Sequence, residues 1–212
     1  MNLSPRLLPI IAVALALGAC NSGERSAAGG AAEPRPLAGA RIGGPFALTA
    51  ADGRTVTDRD FAGKYRLMYF GYSFCPDVCP VDLNGLMLGL KEFERQDPAR
   101  AARIEPIFVT LDPERDTREV VGRFAAQFHP RLIGLTGTPQ QIADVAKAFL
   151  ITYRKQPGSA PDRYLVAHTQ LAYLMGPDGE PVALIPIDDV STPDVNEGRP
   201  ELVAADLARW VR

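Results

Sequence analysis

Residues 65–80 of the chain read YRLMYFGYSFCPDVCP. The first part of this stretch, Tyr65–Tyr72, is rich in aromatic and aliphatic residues and predicts a buried central β-strand. Two cysteines, Cys75 and Cys79, follow directly. Apolar residues then recur at helical spacing over 83–93. The two thiols are therefore predicted to lie where a central strand passes into a helix.

Strands and helices alternate after this pair of cysteines. Apolar runs predict the strands and apolar residues at helical spacing predict the helices, at Ile104–Leu111, Asp116–Phe128, Leu132–Leu135 and from Thr138 onward. The helix that follows Thr138 has a clear start, because Thr138 can cap it, Pro139 fits its first position and Gln141 can complete a capping box. Such alternation favours a sheet with parallel strands that is covered on both faces.

A β-hairpin is predicted on each side of this alternation, around the turn signals Asp52-Gly53 and Pro177-Asp178-Gly179. A terminal helix follows at 201–210, with Leu202, Ala205 and Leu207 expected to face the core. The predicted fold class is α/β, with a central mixed sheet flanked by helices, and is thioredoxin-like in outline. Periodicity alone does not select this fold over other α/β folds.

The N-terminus predicts export. Residues 1–20 contain Arg6, then an apolar run, then Leu-Gly-Ala-Cys ending at Cys20. The apolar run is shorter than the ~20 residues of a membrane-spanning helix and fits the core of a signal peptide. Its end resembles the lipobox of bacterial lipoproteins, in which the cysteine becomes the acylated N-terminus. The alternative is an ordinary cleaved signal that leaves Cys20 free.

Residues 21–42 are rich in Gly, Ala, Ser and Pro and predict a flexible linker, followed by a folded domain over 43–212. We therefore expect a lipid-anchored protein on a bacterial cell membrane, facing the periplasm or the outside of the cytoplasmic membrane. The composition, 46% hydrophobic and 23% charged with a net charge of −2, is that of a globular protein. Because the chain has no basic block, a nucleic-acid-binding surface is not expected.

The spacing of Cys75 and Cys79 suits metal binding. Side chains four residues apart on a helix share a face, with Cβ atoms ~5–6 Å apart. That is long for a relaxed disulfide, which prefers ~3.8 Å, but it suits two sulfurs that converge on one ion. A helix N-terminus favours thiolates, so both cysteines are expected to ionise easily, and thiolates favour Cu(I). A plain redox pair is the main alternative.

The chain contains two histidines, His129 and His168. His129 lies at a predicted helix end, where we expect it to complement the helix dipole. His168 lies where a loop is predicted to lead into the second hairpin. Two thiolates and one imidazole match the trigonal ligand set that copper favours, whereas a structural zinc site needs a fourth ligand.

Several motifs together resemble those of the Sco/SenC copper proteins. GYSFCPDVCP at 71–80 resembles the signature of that family, and LDPERDT at 111–117 and FHPRLIGLTG at 128–137 resemble two further motifs. His168, followed by YLMGPDG at 173–179, falls where the histidine ligand of the family stands. The resemblance extends from about Phe46 to Arg212. It implies a thioredoxin fold with an inserted β-hairpin near the C-terminus.

The resemblance also implies a copper site, as Cu(I) or Cu(II), made of Cys75, Cys79 and His168. It implies a role in assembling the dinuclear copper centre of cytochrome c oxidase, with the copper-binding subunit of the oxidase as partner. The protein would act there as a copper chaperone, or as a thiol–disulfide oxidoreductase that reduces the copper-site cysteines. Whether it is an enzyme stays open. Other periplasmic copper carriers and a thiol reductase are further expected partners.

One position departs from the family pattern, since the residue before the histidine is Ala167 where an aspartate is usual. A carboxylate that supports the ligand would have to come from elsewhere. Asp112 and Asp116 are the candidates, although capping of the following helix is the simpler role for them. Asp77, between the cysteines, is expected to tune the charge of the loop or to face a partner.

A thiol peroxidase on the same fold is a third hypothesis. Peroxidases of this kind usually carry a threonine two or three residues before the attacking cysteine, whereas Ser73 and Phe74 precede Cys75 here. This difference disfavours a peroxidase. The copper and redox hypotheses are compatible with each other, because in an oxidising compartment the thiols must be reduced before they can bind a metal.

Overall fold

Nine β-strands and five α-helices lie in the part of the chain that the structure, a computed structural model, describes, which is residues 33–158, 163–188 and 196–212. The strands are β1 (Ala47–Ala50), β2 (Thr55–Thr57), β3 (Tyr65–Gly71), β4 (Ile104–Thr110), β5 (Ile133–Thr136), β6 (Tyr153–Gln156), β7 (Leu165–His168), β8 (Ala172–Met175) and β9 (Pro181–Ile185). The helices are α1 (Val78–Gln96), α2 (Pro98–Ala101), α3 (Arg118–Ala126), α4 (Pro139–Ala148) and α5 (Pro200–Trp210). The predicted signal peptide with Cys20 lies outside the described residues, as does the part of the predicted linker before residue 33.

Seven of these strands form one mixed sheet in the order β2-β1-β5-β4-β3-β8-β9. The three central strands, β5, β4 and β3, are parallel, and each of the remaining pairs is antiparallel. All residues of β3 are buried, as expected for a strand with a neighbour on each side and both faces covered. The predicted α/β fold, a mixed sheet flanked by helices, is confirmed.

Both predicted hairpins are present. Gly53, in the turn between β1 and β2, has φ of 85°, and Gly179, between β8 and β9, has φ of 88°. This left-handed conformation favours glycine because it has no Cβ atom. The two turn signals in the sequence therefore marked the hairpin ends correctly.

A separate two-stranded sheet, β6 with β7, is inserted between α4 and β8. Tyr153 pairs with His168 at one end of it, and Gln156 pairs with Leu165 at the other. Apolar periodicity predicted no strand here and placed His168 in a loop, which is wrong, because His168 is the last residue of β7. This sheet is the inserted hairpin that the family resemblance implied.

The start of α4 follows the prediction. The Thr138 hydroxyl accepts the Gln141 amide at 3.2 Å, and the Gln141 side chain accepts the Thr138 amide at 2.8 Å. The start of α3 is later than predicted, because Thr117 caps the helix and Asp116 is buried before it.

The buried face of α5 differs from the prediction. Val203 and Leu207 are buried, whereas Leu202 is 40% exposed and Ala205 is exposed as well. The reason lies in α1, where a Cβ atom added to Gly89 would come within 2.4 Å of Val203. Because Val203 fills the space that Gly89 leaves, the partner helix sets the rotation of α5.

His129 lies beyond the end of α3 and is buried. Its Nδ1 accepts the Arg131 amide at 3.1 Å, and its Nε2 lies 3.4 Å from a carboxylate oxygen of Glu94. Burial lowers the pKa of this imidazole, so the ring is neutral near pH 7. The prediction that it complements the helix dipole with a positive charge is wrong.

The folded unit begins at Pro34, before the predicted boundary at residue 43. Leu37 donates its amide to the carbonyl of Val182 at 3.2 Å, and both Leu37 and Ile42 pack against the core. The described end of the predicted linker is therefore part of the domain. None of the helices in the described residues is both long enough and apolar enough to cross a bilayer.

Candidate metal centre

The two cysteines lie between β3 and the first turn of α1. Cys79 is the second residue of the helix, and the preceding Asp77 makes no side-chain capping bond. The Cys79 amide instead points at the sulfur of Cys75, 3.5 Å away. A sulfur thus occupies the position in which an oxygen usually accepts the free amides of a helix start.

The two thiols have opposite acidities. The pKa of Cys75 falls to about 5, mainly through a hydrogen bond from the Cys79 thiol, with further help from the amides of Cys79 and Asp77. The same hydrogen bond, together with burial, raises the pKa of Cys79. The expectation that both thiols ionise easily is therefore wrong for Cys79. Both are free, with Cys75 partly exposed and Cys79 buried.

His168 places one ring nitrogen next to this pair. Its Nε2 lies 3.4 Å from the sulfur of Cys79, and its Nδ1 lies 3.0 Å from the carbonyl oxygen of Thr169. A carbonyl can only accept, so Nδ1 carries the hydrogen and the lone pair of Nε2 faces the sulfur. With bonds of about 2.3 Å to sulfur and 2.0 Å to nitrogen, as for zinc, two ligands of a tetrahedral ion lie roughly 3.5 Å apart. The 3.4 Å between the Cys79 sulfur and His168 Nε2 is therefore a suitable separation for two ligands of one ion.

Contacts of the neighbouring Thr169 and of Tyr72 hold the imidazole in this position. Thr169 donates its amide to the carbonyl of Thr152 at 2.9 Å, and the two threonine hydroxyls lie 2.9 Å apart. The ring of Tyr72 meets the His168 ring edge-on, with centroids 6.2 Å apart. The histidine is therefore held both by its own hairpin and by the end of the strand that leads to Cys75.

The donor atoms suit a soft metal ion. Two sulfurs and one imidazole nitrogen are the ligands that favour copper over hard cations such as Mg²⁺. Across the described residues, no three Cys, His, Asp or Glu side chains already form a cage for a cation. Cys79 links the other two donors, because its thiol hydrogen-bonds Cys75 and its sulfur lies 3.4 Å from His168 Nε2.

The predicted supporting aspartates do not contact the imidazole. Asp116 is fully buried and accepts the Ser73 amide at 2.9 Å, the Ser73 hydroxyl, and the Thr110 hydroxyl at 2.5 Å. Because these bonds hold the residue two positions before Cys75, Asp116 fixes the start of the cysteine loop.

Asp112 is also fully buried, and it accepts from Arg115 Nε at 2.5 Å and from the Tyr164 hydroxyl at 2.7 Å. Asp77 is exposed beside the cysteines. None of the three aspartates replaces a carboxylate at Ala167. The carbonyl of Thr169 occupies that place at Nδ1 of the ring.

Tyr69 and Asp82 are site residues that the sequence reasoning missed. The Tyr69 hydroxyl donates to Asp82 at 2.7 Å, and its proximity moderates the rise in the pKa of Cys79. Burial raises the pKa of Asp82 to about 6. Asp82 follows Cys79 by three residues in α1, so helical spacing alone could have placed it on the same face.

This arrangement, a helix-start thiol pair with an imidazole from an inserted hairpin, defines a class of thioredoxin-like proteins with a soft-metal ligand set. The sequence model of the SCO1/SenC family matches residues 34–203. The chain belongs to this family.

Known relatives agree with the assignment. The chain is 40% identical to the protein SCO1 homolog, mitochondrial, of Homo sapiens over 139 residues, which is 66% of this chain and 46% of the human protein. It is 43% identical to protein SenC of Rhodobacter capsulatus over 143 residues, 66% of this chain and 61% of SenC. In both comparisons the matched stretch covers less than two thirds of the relative's own length.

Solved structures agree on the fold. Bradyrhizobium japonicum ScoI, solved with copper bound, has a TM-score of 0.68 and 38% identity, covering 80% of this chain and 99% of ScoI. BsSco, described as a member of the Sco family of cytochrome c oxidase assembly proteins and studied for a disulfide switch, has a TM-score of 0.57. It is 22% identical, with 80% of this chain and 94% of BsSco covered, and it supports the fold alone.

Proposed function

We propose that the protein binds one copper ion through Cys75, Cys79 and His168 and carries it as cargo. The observation that carries this proposal is the contact of 3.4 Å between His168 Nε2 and the Cys79 sulfur, with the lone pair of Nε2 facing that sulfur. Copper in the solved structure of the related ScoI supports the choice of metal.

The two cysteines would contribute differently to binding. Cys75 is a thiolate at neutral pH and is partly exposed, so it can take the incoming ion first. Cys79 holds a proton between two acceptors, the Cys75 sulfur and His168 Nε2, and would lose it when the metal arrives. Binding should therefore release about one proton per copper near pH 7.

Delivery to the dinuclear copper centre of cytochrome c oxidase is the task that the Sco/SenC resemblance implies. The copper-binding subunit of the oxidase is the proposed partner, and other periplasmic copper carriers and a thiol reductase are proposed to supply metal and electrons. Acylation at Cys20 would hold the domain on the bacterial cell membrane. Mass spectrometry of the membrane-extracted protein, with Cys20→Ala as control, tests the anchor.

Metal analysis of the reduced protein tests the copper site. We expect about one copper per chain, retained in the presence of zinc. In His168→Ala we expect a loss of Cu(II) affinity of at least about tenfold, since even loss of a residue that only supports a ligand costs about 10–100-fold. His129→Ala is the matched control, because His129 is a buried histidine outside the site. Unchanged Cu(II) affinity in His168→Ala would remove the imidazole from the ligand set.

Reduction of the oxidase's copper-site cysteines is a second proposed function. It is favoured by the asymmetry of the thiols, because a partly exposed thiolate can attack a disulfide and a buried partner can then resolve the mixed disulfide. Here Cys75 attacks and Cys79 resolves. Cys79→Ala should trap a mixed disulfide with the target, and His168→Ala should reduce a target disulfide at the wild-type rate.

A further inference from the structure

The loop between β4 and α3, residues 111–117, contacts both halves of the candidate metal centre. We call it the bridging loop. On one side Asp116 accepts the Ser73 amide at 2.9 Å and so holds the cysteine loop. On the other side Glu114 pairs with Lys155 of β6 at 2.5 Å, so the loop also reaches the hairpin that carries His168.

Arg115 is the central residue of this connection. Its Nε donates to buried Asp112 at 2.5 Å, and its Nη1 donates to the carbonyl of Tyr164 at 2.9 Å. Its guanidinium lies 3.7 Å from the centroid of the Tyr164 ring, 5.0 Å from that of Phe74 and 5.8 Å from that of Tyr72. One planar cation thus contacts the residue before β7 and two aromatic residues of the cysteine loop.

Asp112 binds both Arg115 and Tyr164. Its other oxygen accepts the Tyr164 hydroxyl at 2.7 Å, so one carboxylate holds Arg115 and Tyr164 together. Tyr164 directly precedes β7, and His168 is the last residue of β7. All four residues of β7 pair with β6, so Tyr164 and His168 are joined by a short, fully paired strand.

From these contacts we infer that Arg115 is a positioning residue that sets the distance between the imidazole of His168 and the two sulfurs. The inference rests on the proposed copper site but concerns the hairpin itself. Cu(I) can be held by two thiolates, whereas Cu(II) depends more on the imidazole. Loss of Arg115 should therefore weaken the nitrogen ligand and leave the sulfur ligands in place.

The test compares Arg115→Met and Tyr164→Leu with Arg118→Met, an exposed arginine whose ion pair is with the adjacent Glu119. In the metal-free protein, hydrogen exchange of the β6 and β7 amides should be at least about tenfold faster in the first two variants. Exchange in β3 and β4 should stay at the wild-type rate, and Arg118→Met should match the wild type throughout.

A second readout uses Cu(II) as the probe. Arg115→Met should lose the imidazole nitrogen coupling in the EPR spectrum and keep the sulfur-to-copper absorption. Tyr164→Leu serves the same purpose if Arg115→Met does not fold. Unchanged hairpin exchange in the folded variants, or an equal rise in β3 and β4, overturns the inference. Absence of copper from the wild type overturns the proposed function and leaves the exchange result to decide the role of Arg115.

Discussion

At the scale of single residues, the site is organised by where each proton resides. The Thr169 carbonyl fixes the hydrogen of His168 on Nδ1, which leaves Nε2 facing the thiols. Cys79 donates to Cys75, so one sulfur is charged and the other neutral. Ala167 thus costs the site no hydrogen bond at the ring, because a backbone carbonyl takes the place of the carboxylate.

Cys79→Ala should make Cys75 less acidic. The hydrogen bond from the Cys79 thiol is the largest cause that lowers the pKa of Cys75 to about 5, and alanine cannot donate. The pH midpoint for alkylation of Cys75 by iodoacetamide should therefore move upward from about 5. Cys79→Ser keeps a donor and should move the midpoint less. A midpoint that stays the same in Cys79→Ala contradicts the assignment of donor and acceptor.

The sequence predicted part of this site, for identifiable reasons. Cys75 and Cys79 were found because their spacing has a local meaning on a helix. His168 was assigned to the ligand set by the family resemblance, which its donor chemistry alone did not settle, and its strand was not predicted. The role of Thr169 could not be predicted, because it acts through its backbone carbonyl, which carries no residue-specific signal.

At the scale of elements, patterns succeed where a segment determines its own conformation. The capping box of α4 is local and was predicted correctly. Strand β6 reads Tyr-Arg-Lys-Gln, and its last three residues are exposed, so it lacks the apolar alternation that marks a strand. The face of α5 was mispredicted because Gly89 of α1 selects it, and a single-segment pattern holds no information about a partner.

Gly89→Ala should destabilise the contact between α1 and α5. The new Cβ atom would lie 2.4 Å from Val203 and 3.0 Å from the carbonyl oxygen of Pro200, and overpacking of this kind costs about 1–3 kcal/mol. For a chain of this size the melting temperature should fall by roughly 2–4 °C per kcal/mol. Adding Val203→Ala should recover part of the loss. Additive losses in the double variant would show that the two residues do not compete for space.

At the scale of the whole molecule, two buried titratable groups give stability opposite dependences on pH. His129 is a base whose pKa is lowered by burial, and Asp82 is an acid whose pKa is raised by burial to about 6. Burial disfavours the charged form of both groups, which is the imidazolium of His129 and the carboxylate of Asp82. Their contributions can be separated, because one acts as pH falls and the other as pH rises.

His129→Gln should remove a loss of stability in mild acid. The unfolded state binds a proton at His129 near the ordinary value of 6.5, while the folded state resists it. Stability of the wild type therefore falls as pH drops below about 6.5. Glutamine can still accept from Arg131 and donate to Glu94 without titrating. Urea midpoints from about pH 7.5 to 5 should fall less in the variant, and parallel curves would contradict this.

Asp82→Asn should show the opposite behaviour. The folded state keeps the Asp82 proton up to about pH 6, whereas the unfolded state loses it near the ordinary value of 3.8. Stability of the wild type therefore falls as pH rises through this window, by roughly 1–3 kcal/mol in total. Asparagine stays neutral and can still accept from Tyr69.

The Asp82→Asn variant should accordingly be more stable than the wild type near neutral pH, with the difference closing toward about pH 4 in urea unfolding. Asp144→Asn, at an exposed carboxylate of α4, is the matched control for loss of a charge. The gain should be absent in that control, because Asp144 is exposed to solvent in the folded state. A difference between Asp82→Asn and wild type that is constant across the pH range would mean that Asp82 acts through packing and not through its proton.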